Sequence, residues 1–256
     1  MTPSTRESPA RTHKRVAIVG CPGSGAERLQ DLLATLPGVI TAPEGPPDPA
    51  AGDHGEGAVL LRRDPGEIFV MDATRGADPG ARVVHVVRDP RAVAAFLVAS
   101  SRQGWGFAPR SALDAAESWA QWVALGRPIQ HMGDAGRTVR CEDVLANDAL
   151  ARVLEWLGLR APEDLGQRVR DALTPGAVKS SLDGYEWCRK GWGHSWRTDL
   201  LDAEIATVEE HLWDAMFENG YEPVVALGPR RARRGTLRRA RRNAARLLRD
   251  RGYESP

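Results

Sequence analysis

Cysteine is scarce: there are three in 256 residues, Cys21, Cys141 and Cys188. They show no CxxC or metal-ligand spacing, and their odd number argues against a disulfide framework. Long apolar runs are missing too, and none approaches the roughly 20 residues needed to cross a bilayer. Residues 1–14 are rich in Pro, Ser, Thr and Arg but have no apolar stretch of the kind a secretory signal carries. They read as a disordered lead-in, and a cytoplasmic protein is expected.

Net charge is small, at +1, but unevenly spread. From Gly228 onward the chain has 11 Arg, no Lys and two acids, Asp250 and Glu254, giving +9. The rest therefore carries −8. Three regions follow: a lead-in over 1–14, an α/β body over 15–227, and a basic tail over 228–256. The tail reads first as a solvated segment outside the fold. Because it keeps Leu237, Ala240, Ala244, Leu247 and Leu248 roughly on one side, the alternative is an amphipathic helix that meets an acidic surface such as a membrane, nucleic acid or acidic partner. Sequence-specific nucleic-acid binding is not expected from arginine runs alone. A homo-oligomer remains open.

The body alternates strands with helices. "RVAIVG" (15–20) is the near-continuous apolar run of a parallel strand buried on both faces. "AERLQDLLATL" (26–36) sets leucines on one helical face. Further strands are expected at 68–72 ("IFVMD"), 82–87 ("RVVHVV") and 137–144 ("RTVRCEDV"), with helices after the last two. Pro90 suits a first helical turn. A long helix over 202–218 is closed by Asn219-Gly220. This order predicts a parallel sheet covered by helices on both sides, a three-layer α/β architecture. Residues 41–58 read as a long loop, of a length that is usually functional or disordered.

Between the first strand and helix lies Gly20-Cys-Pro-Gly-Ser-Gly-Ala-Glu27. A nucleotide-hydrolysing P-loop, GxxxxGK[ST], uses its lysine on the β/γ phosphates and its hydroxyl on magnesium. Ala26 and Glu27 stand at those two positions. What remains is a glycine turn and the N–H groups of a helix start, which can bind an anion. Farther on, "VVHVVRDPRAVAA" puts Arg88 just past a strand end and Arg91 in the next helical turn. "WCRKGWGHSWR" brings Arg189, Lys190 and Gly191 together shortly before Trp196-Arg197.

In this order the segments resemble the sulfotransferase family, which uses 3′-phosphoadenosine 5′-phosphosulfate (PAPS) and releases adenosine 3′,5′-bisphosphate (PAP). The resemblance runs from about Arg15 to Glu222 and marks a divergent, bacterial type of member. It implies a P-loop nucleotide-binding fold that needs no metal. The 5′-phosphosulfate would be held by the loop Pro22, Gly23, Ser24, Gly25, Ala26, Glu27 and Arg28. The 3′-phosphate would fall to Arg88, Arg91, Arg189, Lys190 and Gly191.

For the general base, "FVMDATRGAD" resembles an acid-x-Thr element of the family, which implies Asp72. His54, Glu56 and Glu44 in the long loop compete with it. His85, inside an apolar strand, is expected to be packed rather than catalytic.

The sequence departs from the family pattern at several points. Gly23 replaces a basic residue, and Ala26 and Glu27 replace two threonines. Phe96 replaces a serine that would bind the 3′-phosphate, with Ser100 and Ser101 one turn later. Cys141 replaces a tyrosine. Recognition of the 3′-phosphate is therefore expected to be better preserved than that of the 5′-phosphosulfate.

The implied activity is sulfuryl transfer to a hydroxyl or amine of a small-molecule acceptor. The Arg-, Ala- and Gly-rich composition of a GC-rich coding sequence suggests a bacterial specialised metabolite. The alternatives are a non-catalytic binding protein with the same pocket and, against the missing Lys-Ser/Thr, a P-loop kinase.

Overall fold

The computed structural model describes residues 14–42, 58–63, 68, 80–106, 108–144, 147–173 and 196–225. Five parallel strands form one sheet: β1 (Lys14–Gly20), β2 (Val39–Thr41), β3 (Val59–Arg63), β4 (Arg82–Val87) and β5 (Gly136–Arg140). Their spatial order is β2-β3-β1-β4-β5. The helices are α1 (Ala26–Ala34), α2 (Pro90–Arg102), α3 (Ala112–Gly126), α4 (Cys141–Val144), α5 (Asn147–Leu157), α6 (Leu165–Leu173), α7 (Trp196–Asp199) and α8 (Asp202–Glu218). None of these is long and apolar enough to cross a membrane.

Strand alternation divides the core into two faces. Val16 and Ile18 of β1 and Val84 and Val86 of β4 pack with α1, α5 and α6. Ala17 and Val19 of β1, with Val83 of β4, turn to the other side, toward Leu125 and Ile129. On that side α2, α3 and α8 form a further cluster around Trp119, Val93, Val208 and Met216. Burial on both faces is why β1 and β4 read as unbroken apolar runs. Helices cover both faces, so the expected three-layer α/β architecture is the one observed.

Two boundaries differ from the sequence reading. The strand beside β1 is Val59–Arg63, whose register pairs Ile18 with Arg63. The stretch 68–72, expected as a strand, lies outside the described residues except for Ile68, which is helical and buried. The fourth expected strand also stops early. β5 ends at Arg140, and "CEDV" turns into α4, where Glu142 is recruited by backbone and hydroxyl donors.

His85 sits in the middle of β4 and is 1% exposed. A Cβ on Gly126 would overlap its ring, so glycine at 126 is what lets α3 close over the strand. Burial pushes the imidazole down from 6.5 to about 4. The folded ring stays neutral while the unfolded ring takes up a proton below about 6.5, so stability falls as pH drops from there toward 4. His85 alone should account for up to about 3 kcal/mol of that loss. Urea midpoints between pH 7 and 4 should therefore fall more steeply for the parent than for His85→Gln, and equal slopes would contradict this account.

Candidate anion-binding site at the glycine loop

In open parallel sheets ligands bind beyond the carboxyl ends of the strands, where the chain order reverses. Here that point is β1, with β3 on one side and β4 on the other. Gly20 at the end of β1 is in register with Val86, so the glycine loop and Arg88 leave the sheet side by side.

The loop turns tightly. Gly23 and Gly25 have φ of 83° and 93°, values that side-chain-bearing residues rarely adopt. The Ser24 N–H donates to the Cys21 carbonyl at 2.8 Å. A Cβ on Gly20 would lie 2.5 Å from Ser24 Oγ and 2.6 Å from the Val86 carbonyl, so only glycine lets the loop fold back on the strand. Ser24 is 1% exposed, and among the described residues its Oγ has no hydrogen-bond partner. A buried hydroxyl left unpaired is costly unless a ligand completes it.

α1 starts straight from Gly25 with no side-chain cap. Its first N–H groups have no acceptor within the helix, and the helix dipole favours negative charge there. Helix-start N–H groups with no acceptor inside the helix, beside a buried hydroxyl, suit an anion of phosphate or sulfate type.

Glu27 would oppose such an anion, but it is neutralised. Its Oε1 accepts from Arg63 Nη1 of β3 at 3.3 Å, with both side chains mostly buried. The partner is thus a strand residue rather than the adjacent Arg28, which is 8% exposed on the buried side of α1. Arg63 also donates to Gln30. The Cys21 thiol, behind the loop, is pushed up by burial and then by the Glu27 carboxylate, with a bond to Ser118 opposing. It stays a thiol and is no nucleophile.

Arg88, which the resemblance assigns to the 3′-phosphate, reaches the glycine loop. Its Nη1 donates to the Gly23 carbonyl at 3.0 Å, and its own carbonyl accepts from Trp119 Nε1 at 2.9 Å. Arg88 as a whole is 8% exposed, so its charge is poorly screened by solvent.

Arg91 requires a correction. The expectation set it on the 3′-phosphate, but protein groups occupy it. Nε and Nη2 hold the two oxygens of Asp89 at 2.9 and 2.7 Å. Nη1 holds Glu209 at 2.6 Å and the Glu222 carbonyl at 3.0 Å. Its face lies 4.2 Å from the Trp196 ring centroid. Coulomb attraction and hydrogen bonding from Asp89 and Glu209 outweigh burial and hold its pKa above the ordinary value. Arg91 is a buried structural cation.

The neighbouring positions also narrow the 3′-phosphate expectation. Phe96 packs on Gly23, its ring 2.6 Å from where a Cβ would stand, and meets Trp105 edge-on at 6.2 Å. Ser100 Oγ is turned away to the Phe96 carbonyl at 2.7 Å. Cys141 is buried, and its thiol is raised to about 12 by burial, with Arg88 opposing. Arg189, Lys190 and Gly191 lie outside the described residues, as do Asp72, His54, Glu56, Glu44 and Thr74. Pro22, Gly23, Ser24, Gly25, Ala26, Glu27 and Arg28 all lie within the loop and first turn just described. Among the described residues, no group of three or more His, Cys, Asp or Glu side chains could hold a metal ion.

The sequence reading missed two carboxylates. Glu209 is fully buried and takes the N–H groups of Val224 and Val225 as well as Arg91. Its signal was its place on the apolar stripe of α8, one turn from Ile205 and from Leu212. Glu142 accepts from the Asp89 N–H at 2.9 Å and from Tyr221 Oη at 3.0 Å. Burial, then the Glu142 carboxylate, drives the Tyr221 phenol far above its usual range. Nothing in the local sequence points to that pair.

No protein-family model matches the chain, and no curated protein matches it. Solved structures do superpose on it, three sulfotransferases among them. A sulfotransferase from Mycobacterium tuberculosis does so at TM-score 0.45 and 14% identity, covering 74% of this chain and 76% of that one. The sulfotransferase domain of the olefin synthase from Synechococcus PCC 7002 gives 0.45 and 14%, covering 98% and 99%. A sulfotransferase from Alicyclobacillus acidocaldarius gives 0.44 and 15%, covering 77% and 95%. At these values they assign no activity to this chain.

Gly23→Ala tests the loop's construction. It combines left-handed strain with a clash on Phe96, whereas Gly133→Ala meets the same sign of φ in open space. Urea unfolding should give roughly 2–4 kcal/mol of loss at 23 against about 1–2 at 133. Adding Phe96→Ala should recover part of the difference. Equal losses at the two glycines would mean that Phe96 does not constrain the loop.

Proposed function

We propose that the chain is a PAPS-dependent sulfotransferase acting on a hydroxyl or amine of a small-molecule acceptor. One observation carries this reading. The glycine loop has lost the lysine and the magnesium-binding hydroxyl of a nucleotide hydrolase, yet it keeps an anion-ready helix start, a buried Ser24 hydroxyl with no partner among the described residues, and Arg88 brought in from the next strand. A sulfuryl donor suits that set, because its reacting group carries less charge than a nucleoside triphosphate tail.

The donor supplies an activated sulfuryl group. The α1 N–H groups and Ser24 would hold the sulfate-bearing end, and the Arg88 charge would stabilise negative charge developing there. Arg63 keeps Glu27 from opposing it. Arg189, Lys190 and Gly191 are assigned to the 3′-phosphate, a task that falls to them more heavily because Arg91 is engaged elsewhere. Asp72 is assigned as the base that takes the acceptor's proton, with His54 and Glu56 as competitors. A cytoplasmic setting and an acidic partner for the tail belong to the same proposal.

The contact of Phe96 with Gly23 favours a second reading, a binding protein that keeps the bisphosphate pocket without turnover. Bound PAP without any sulfuryl transfer would identify it.

Calorimetry with PAP and then ATP–magnesium decides the ligand. PAP should bind and ATP–magnesium should bind little. Arg88→Ala and Lys190→Ala should each weaken PAP by about 1–3 kcal/mol. Preference for ATP–magnesium would overturn the reading in favour of a kinase. In a transfer assay Asp72→Asn should cut turnover and leave PAP affinity nearly intact, and an unchanged rate would move the base to the 44–56 loop.

A further inference from the structure

The buried cluster around Arg91 lies next to the candidate site without opening into it. Arg91 spans from α2 to α8: it holds both oxygens of Asp89, one oxygen of Glu209 and the Glu222 carbonyl, with Trp196 stacked on its face. Asp89 in turn caps α2 by accepting the Arg91 N–H at 2.9 Å, and its own N–H is fixed by Glu142. Trp119 fixes the carbonyl of Arg88. The peptide between residues 88 and 89 is therefore gripped from α3 and α4, and the Asp89 carboxylate beside it from α2. From this knot the Arg88 side chain extends to the Gly23 carbonyl.

We propose that Arg91 is a positioning residue. Through Asp89 it sets the backbone of Arg88, and through the Arg88–Gly23 hydrogen bond it holds the glycine loop in its anion-binding conformation, tying α8 and Glu222 to the donor site. Arg91 touches no ligand. The planar guanidinium is needed because Asp89 takes two parallel bonds from Nε and Nη2 while Nη1 faces Glu209, a fork that a lysine ammonium does not reproduce. The proposal rests on the proposed function only for the ligand's identity, since the coupling between residues 91 and 23 exists whatever anion binds.

The test is amide hydrogen exchange on the full, ligand-free chain. Arg91→Lys should speed exchange of the Ser24 and Leu29 amides, which donate to the Cys21 and Gly25 carbonyls of the loop, by roughly tenfold or more, the consequence of losing a charged hydrogen bond. α5, across the sheet, should be unchanged. Arg88→Ala should loosen the same amides, and the double variant should add nothing further, because both act along one path. Faster exchange throughout the domain, or additive effects of the two substitutions, would overturn the proposal and leave Arg91 a general stabiliser.

If Arg91→Lys fails to fold, Glu209→Gln keeps the shape and removes one charge. It should give the same local pattern at smaller amplitude, and an unaltered loop would again overturn the proposal. PAP titration is a separate arm. If the parent binds PAP, Arg91→Lys should weaken it roughly tenfold, and unchanged affinity would overturn the proposal. If the parent does not bind PAP, the proposed function fails and the exchange pattern still decides the coupling.

Discussion

Arg91 and Glu209 stand 118 positions apart in the chain and meet at 2.6 Å in a dry interior, with Asp89 on the other side of the same guanidinium. Such a cluster adds little net stability, because desolvation of the ions offsets most of their attraction. Breaking it is another matter, since a carboxylate left alone in that place costs several kcal/mol. The arrangement has two acids to one base, and its surplus negative charge is met by peptide groups. Val224 and Val225 donate to Glu209, and Asp89 sits at the positive end of α2. The cluster thus selects one arrangement of β4, α2, α8 and the segment after α8.

From that fixed point the site follows by short steps. β4 ends beside β1, so whatever holds the β4 exit also holds the neighbour of the glycine loop. The loop contributes glycine freedom, a buried hydroxyl and helix-start N–H groups, and β4 contributes one guanidinium. β3 contributes Arg63, which removes the electrostatic objection to Glu27. Three adjacent strands therefore each supply one part of the site, which is the expected consequence of a reversal in strand order.

Much of this was legible in the sequence, and the exceptions have physical causes. β1 and β4 were readable because burial on both faces makes them continuous apolar runs. α2 was readable because Asp89 and Pro90 are start signals. β2 and β3 were not, because three residues at the sheet edge and a strand ending in two arginines carry too little pattern. Arg91 resembled a ligand cation because its near partner, Asp89, is two residues away while its far partner belongs to another helix. Only Glu209, a carboxylate on an apolar stripe, hinted that α8 needed a buried cation. Glu27 gives no local sign of its partner for the same reason: Arg63 is 36 positions distant, on a strand with too little pattern to read.

The central claim is that the glycine loop and Arg88 form one anion-binding unit at the carboxyl end of β1. A crystal structure with adenosine 3′,5′-bisphosphate tests it most directly. The 5′-phosphate should lie within about 3 Å of N–H groups at the start of α1 and of Ser24 Oγ, with the Arg88 guanidinium beside the loop. Bisphosphate bound elsewhere, with Ser24 still unpaired, would contradict the account.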